Sequence, residues 1–271
     1  MSILKRIVNS KYFMVFLWMV IIVAVWEVFA FIVQFTKRTP VNILPHIYGI
    51  IESILDTKTI NGSETALQMV LINAGATLSR AGIGFLIGTA LGFILALLMN
   101  LSGTVEKIAF PYLMLIQMIP VLGMAPIVLA LTGDIATSRI VIAAILTFYP
   151  VAANTLAGFK GVHKEKHELM YSYAASKFQL YTKTLIPACL PAFFTGMKIA
   201  APMAVTASIL VDTLQGGVGL GCLLSQSLKG AMTRYVFWQI VVLSAIVGIL
   251  SFVLIGAIEK RVCPYNQKPK G

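Results

Sequence analysis

The chain has 271 residues, of which 58% are hydrophobic and only 11% charged, with a formal net charge of +11. So few charges exclude an ordinary soluble domain, which carries about twice that share, and a mean hydropathy of +0.89 points to hydrocarbon as the solvent. The basic residues gather at the ends of apolar runs rather than along one amphipathic face, so the positive charge reads as membrane topology and not as a nucleic-acid surface.

Several apolar runs reach the roughly 20 residues that a helix needs to cross a bilayer, which predicts an all-α, polytopic membrane protein with about six transmembrane helices. In chain order these cover 12–34, 70–99, 109–131, 139–159, 191–213 and 237–258, and residues 1–271 read as a single transmembrane domain. The first run follows Lys5, Arg6 and Lys11, as a secretory leader would. It is too long for a cleaved apolar core and lacks a small-residue cleavage site after it, so it reads as a retained helix. Trp26 and Glu27 stand toward its end, where an interface is expected. A more polar stretch with Pro40 and Pro45 follows. Beyond it Ile47, Ile50, Ile51, Ile54 and Leu55 fall at helical spacing, with Glu52, Ser53 and Asp56 elsewhere on the wheel. That pattern fits a helix lying flat at the membrane interface and an amphipathic loop helix equally well.

The second run carries Gly82, Gly84, Gly88 and Gly92, the last three at four-residue spacing that lets another helix approach closely. Dimer contact and internal packing both remain open. In the third run Pro111, Pro120 and Pro126, with Gly123, interrupt what reads as one membrane helix. Proline removes a backbone donor, so the freed carbonyls need partners or a cavity, and broken helices often line transport paths. Gln117, Met118 and Pro120 are therefore pathway candidates, with a kinked packing helix as the alternative. Glu27 and Asp212 are acids within or at the edges of the spans, and each needs a partner, water or an interface. Asp212, near the end of the fifth run, reads as structural or gate-stabilising rather than as a proton carrier. Cys189, Cys222 and Cys263 are far apart and odd in number, hence structural thiols. His163 and His167 form a near pair without a third ligand, so no metal site is predicted. The sequence has no G-x4-G-K-[ST] loop, no serine–histidine arrangement and no paired carboxylates. It reads as non-catalytic, with no cofactor of its own.

Lysine and arginine set the predicted orientation. With the N-terminus cytoplasmic, the inner segments hold Lys5, Arg6, Lys11, Lys107, Lys160, Lys164, Lys166, Lys177, Lys183, Lys260, Arg261, Lys268 and Lys270. The outer segments hold Lys37, Arg38, Lys58, Arg80, Arg139, Lys229 and Arg234, and Lys198 falls inside the fifth run. Thirteen against seven places both termini and the 160–190 segment in the cytoplasm.

That segment is polar, basic and helical in pattern, and Pro187 and Pro191 are expected to stop helices there. It contains Glu168-Leu169-Met170, then Ala174-Ala175-Ser176, then Thr184-Leu185-Ile186-Pro187. This resembles the coupling motif E-A-A-x3-G-x9-I-x-L-P of ABC-importer permeases. Glu168 matches the acid, Leu169 and Met170 occupy the alanine positions, and Ala174 takes the glycine position. Thr184, Ile186 and Pro187 take the isoleucine, leucine and proline positions. Bulkier residues at both alanines and alanine for glycine are the departures. Further stretches are similar to the permeases of nitrate, sulfonate, taurine and bicarbonate importers, a subgroup that includes thiamine-precursor transporters. They are Thr77-Leu78-Ser79-Arg80 with Gly84-Phe85, Gln117-Met118-Ile119-Pro120 with Ala125-Pro126, Thr195-Gly196-Met197-Lys198, and Gly219-Leu220-Gly221. The likeness runs from about residue 26 to 258.

The resemblance implies a type I ABC-importer permease of a bacterial inner membrane. It implies coupling to separate ATPase subunits through Glu168, Leu169, Met170, Ala174, Ala175, Ser176 and Pro187, with ATP bound by those partners. Without it, Glu168 reads as a solvated surface acid. The other implied partners are a second permease subunit, identical or paralogous, an extracytoplasmic substrate-binding protein, and membrane lipid. The expected substrate is a small anion of the nitrate, sulfonate or taurine type, with Arg80, Arg139, Lys229 and Arg234 at the outer mouth serving equally as a source of positive potential or as a dock for the binding protein. A thiamine-precursor pyrimidine is the second expectation. A secondary carrier is the rival class, but it leaves the 160–190 segment without a role.

Overall fold

The structure, a computed structural model, describes residues 11–37, 40–56, 59, 64–229 and 234–264. Of the basic residues counted above, Lys5, Arg6, Arg38, Lys58, Lys268 and Lys270 lie outside these, as do the side chains of Lys11 and Arg234. The chain is all-α, and it divides into two compact units, Met1–Val70 with Gln226–Gln239, and Leu71–Ser225 with Ile240–Gly271.

In the first unit, α1 (Lys11–Thr36) is apolar around its circumference and almost wholly exposed, as a helix in contact with lipid must be. A short turn, α2 (Pro40–Ile43), leads to α3 (Ile47–Leu55), which buries Gly49 and Ile50. Gly49 sits against the Tyr235 ring, where a Cβ would come within 3.2 Å of the phenol oxygen. Trp26 packs edge-on against Trp238 at 5.0 Å.

The second unit is built around α7 (Ile135–Lys160). Its neighbours are α4 (Ala66–Leu101), α5 (Gly103–Met118), α6 (Val121–Thr132) and α10 (Ile186–Gln215). The apolar stretches of α7 and of the helix ending at Gln215 are 44% and 50% buried, against 11% for α12 (Arg234–Val262), so α7 and α10 form the core and α12 its margin. Gly84, Gly88 and Gly92 all face α7. A Cβ would meet Ala143 Cβ at 2.6 Å from Gly84, Ala144 O at 2.5 Å from Gly88, and Phe148 O at 2.8 Å from Gly92. The glycine seam is therefore internal packing, which settles the choice that the spacing left open.

Two sequence expectations need correction. The third run is not one interrupted helix but two, α5 and α6, bent by 110°. Only Pro120 breaks it, because Ile119 before the proline ring is held in the extended region, at φ −74° and ψ 125°, while Pro111 and Pro126 lie inside helices. Likewise Pro187 and Pro191 do not stop a helix. A continuous helical stretch runs from Lys177 to Gln215. Pro187 lies in the first turn of α10, where a missing N–H costs little. It follows a wide π turn (Tyr181–Leu185) in which the Ile186 N–H reaches back to Tyr181 O. Pro191 and Pro202 are carried inside α10, as membrane helices tolerate when the surrounding bundle re-satisfies the backbone.

Candidate functional sites

The segment between α7 and α10 begins with α8 (Lys164–Ser172), turns at Tyr173-Ala174-Ala175, and continues as α9 (Lys177–Leu180). Neither short helix buries a residue. Local chemistry holds the turn. The Ser176 hydroxyl accepts from Gln179 N–H while the Gln179 side chain accepts from Ser176 N–H, a reciprocal capping box. Ala174 adopts φ 49°, alone among the described non-glycine residues in having a positive φ. This is the position where the resembled motif has glycine, and the left-handed geometry is the physical reason for that preference. The segment exposes Leu169, Tyr173, Tyr171 (87%) and Phe178 (77%), so it offers apolar and aromatic surface without internal cover. Glu168 is exposed, and Met170, half-buried, sits between two shallow recesses, one lined by Glu168, Tyr171 and Ala175 and the other by Leu169, Lys183 and Pro187.

Gln117, Met118 and Pro120 gather at the α5–α6 break, all exposed, with Met118 at 77%. Asp212 does not join them. It is wholly buried in α10 and ties four elements together. Its Oδ1 lies 3.0 Å from Arg139 Nε of α7 and 3.6 Å from Arg80 of α4. Its Oδ2 accepts from the Thr77 hydroxyl at 2.6 Å. Thr77 in turn accepts from Leu220 N–H at 2.9 Å, and Asn73 accepts from Gly219 N–H at 2.7 Å, so α4 supplies the caps for α11 (Leu220–Leu228). Arg80 donates to Val218 O at 2.7 Å, and Arg139 donates to Val218 O at 3.1 Å and to Gly216 O. The loop can turn its carbonyls this way because Gly216, Gly217 and Gly219 take φ of 71°, 87° and 154°. Gln215 extends the tie to α6, donating to Ala125 O at 3.2 Å and accepting from Ser138 at 2.9 Å.

This cluster takes two of the four basic residues expected at the outer mouth out of play, while Lys229 is exposed. Arg139 is 1% exposed and Arg80 is largely buried, both engaged by Asp212 and by loop carbonyls, so neither offers free charge to a solute. The sequence held the signal in one form. One acid and two arginines inside apolar helices must find one another, since lone ions in hydrocarbon are costly. Lys198 follows the same rule and pairs with Glu259 of α12. Glu27 pairs with His46 at 2.7 Å and accepts from Ile47 N–H at 2.8 Å, a partnership the sequence reading had not assigned.

Multiple apolar helices, a broken helix pair and an exposed helical insert together define a multi-pass membrane protein. Its fold is that of an importer subunit: an inward-facing structure of the MetNI methionine ABC transporter superposes with a TM-score of 0.66 at 18% identity, covering 74% of this chain and 99% of that one. Formylaminopyrimidine transport permease protein ThiX of Halalkalibacterium halodurans is 30% identical over 254 residues, 93% of this chain and 95% of that protein. Nitrate import permease protein NrtB of Leptolyngbya laminosa is 28% identical over 193 residues, 71% of this chain and 69% of that protein. Residues 88–263 match the family described as binding-protein-dependent transport system inner membrane component, and the chain belongs to that family of ABC-importer permeases.

Proposed function

We propose that this chain forms part of the translocation pathway of an ATP-driven importer and is driven through residues 164–187 by a separate ATPase. The observation that carries this reading is the exposed segment itself: two short helices locked by a capping box, with Leu169, Tyr171, Tyr173 and Phe178 uncovered. Apolar surface on a rigid projection is what a partner groove can grip. Glu168, Leu169, Met170, Ala174, Ala175, Ser176 and Pro187 are assigned to the coupling surface. Both termini and the projection lie in the cytoplasm in this reading, on the thirteen-to-seven distribution of basic residues. Two ATPase subunits bind ATP there, a second permease subunit, identical or paralogous, completes the pathway, and an extracytoplasmic binding protein delivers substrate. ATP binding and hydrolysis bias two states of the pair, opening the pathway outward and then resetting it inward.

For the substrate, the proposal favours a small pyrimidine-type solute over a nitrate-, sulfonate- or taurine-type anion. The ThiX relative aligns over 93% of this chain at 30% identity. The case for an anion rested partly on Arg80 and Arg139, which are engaged within the protein. Tagged chain purified in mild detergent is expected to bring down an ATPase, with loss on deleting 173–178 and weakening in Glu168→Ala. Recovery of no ATPase, with the deletion inert, sinks the assignment of residues 164–187 as the coupling surface. Uptake by the assembled importer, competed by unlabelled pyrimidine or by nitrate and taurine, decides the substrate separately.

A further inference from the structure

The contacts around α3 fix its depth relative to the spans it packs on. Its first turn is pinned to α1, not above it: Ile47 N–H donates to Glu27 Oε1 at 2.8 Å, and Trp26 Nε1 donates to Pro45 O at 3.0 Å. Glu27 lies nine residues before Thr36, the end of α1, which is about 14 Å along the axis. The other end of α3 is pinned at a matching level, since Gln239 Nε2 donates to Ser53 O at 3.0 Å and the adjacent Trp238 packs on Trp26. A helix held at both ends near the level of Trp26 lies across the spans, in the membrane plane.

Between Glu27 and its end, α1 exposes Val28, Phe31, Ile32 and Phe35, which need hydrocarbon around them. The outward face of α3 continues that surface with Tyr48, Ile51 and Leu55, all exposed at i, i+3 and i+7. Polar groups at the junction are satisfied internally, as that depth requires. The Glu27 carboxylate is shared by His46 and Ile47 N–H, His46 Nε2 meets Gln34 Oε1 at 3.0 Å, and Gly49 N–H donates to His46 O at 3.1 Å. Glu52 of the same helix and Asp56 at its end are exposed, and an ionised carboxylate there needs headgroups or water within reach.

We infer that α3 is a re-entrant, in-plane helix whose Tyr48–Ile51–Leu55 face is covered by lipid acyl chains of the leaflet that holds the C-terminal half of α1. This rests on the membrane fold alone and not on the substrate or on ATPase coupling. The test is nitroxide labelling of single cysteines at Tyr48, Ile51 and Leu55 in the assembled importer, reconstituted in phosphatidylethanolamine–phosphatidylglycerol vesicles. Cys189, Cys222 and Cys263 are buried, so unsubstituted protein serves as the blank. Ile32→Cys supplies the lipid reference and Lys229→Cys, exposed and outside the ATPase-coupling segment, the aqueous one. The expected result is collision with oxygen several-fold above collision with a nickel chelate at all three sites, matching Ile32. A ratio matching Lys229 overturns the inference in favour of water. Labels shielded from both reagents overturn it in favour of a protein partner. Should the cysteine variants fail to assemble, a carbene photolabel generated in the hydrocarbon of vesicles holding unaltered protein decides. Label on α3 supports the placement, and label on α1 that is absent from α3 overturns it.

Discussion

Asp212 sits between two guanidinium groups in apolar surroundings, so its removal does more than delete one contact. With the carboxylate gone, Arg139 remains buried without its counter-charge, a loss on the order of 3–5 kcal/mol. Asp212→Ala is expected to lower the thermal midpoint in detergent sharply. Arg139→Gln in the same background should recover part of it, because the orphaned charge is then removed as well. At Ala174 the strain runs the other way: a non-glycine residue at φ 49° pays about 1 kcal/mol. Ala174→Gly should stabilise the turn by that order, read as slower amide exchange at Ala175 and Ser176. Asp134 supplies a pH-dependent case. Its carboxylate accepts from the Thr137 hydroxyl at 2.6 Å and from Thr137 N–H at 2.7 Å, and these bonds hold it below its ordinary value of 3.8. A depressed carboxylate contributes above its unfolded value and loses that contribution as pH falls through the folded one. The protection factor at the first turn of α7, taken relative to the intrinsic exchange rate at each pH, should therefore be flat from neutral pH down to the usual carboxylate range and fall only below it, whereas Asp134→Asn should show no such fall.

At the scale of elements, the seam between α4 and α7 has no room to accept volume. Gly88 would place a Cβ 2.5 Å from Ala144 O and closer still to the Thr147 hydroxyl, and backbone cannot rotate away. Gly88→Leu should cost more than the roughly 1–3 kcal/mol of ordinary overpacking, with poor yield of folded protein, while Gly82→Leu, whose Cβ meets open space, should be near neutral. The seam's spacing was legible in sequence as a permission for close approach, but not its partner, since several helices could have filled it. Prolines divided in the same way. Pro120 breaks a helix because the residue before it, Ile119, is held in extended geometry, while Pro191 and Pro202 pass inside α10, part of the best buried of the candidate spans. Sequence rules for proline describe the isolated chain, and burial inside a bundle overrides them.

For the whole molecule, the α5–α6 break is the place where the bundle departs from straight spans, bent by 110° with Gln117 and Met118 exposed beside it. Pro120→Ala frees Ile119 for helical geometry and should favour one continuous helix by up to about 3 kcal/mol. The expected outcome is a longer distance between spin labels placed on α5 and α6, with transport reduced and ATPase recovery unchanged. A lost ATPase would mean the break supports assembly instead. The amino-acid sequence by itself determined the solvent, the all-helical class, the approximate number of membrane-length helices and the polar insert, because these follow from apolar run length, charge placement and motif order along the chain. The tertiary structure decided which charges are paired, which face of α4 is internal, which proline breaks a helix and which residues α3 is bonded to. Those outcomes depend on groups far apart in sequence, such as Thr77 with Asp212 or Trp26 with Trp238, meeting only when the helices pack.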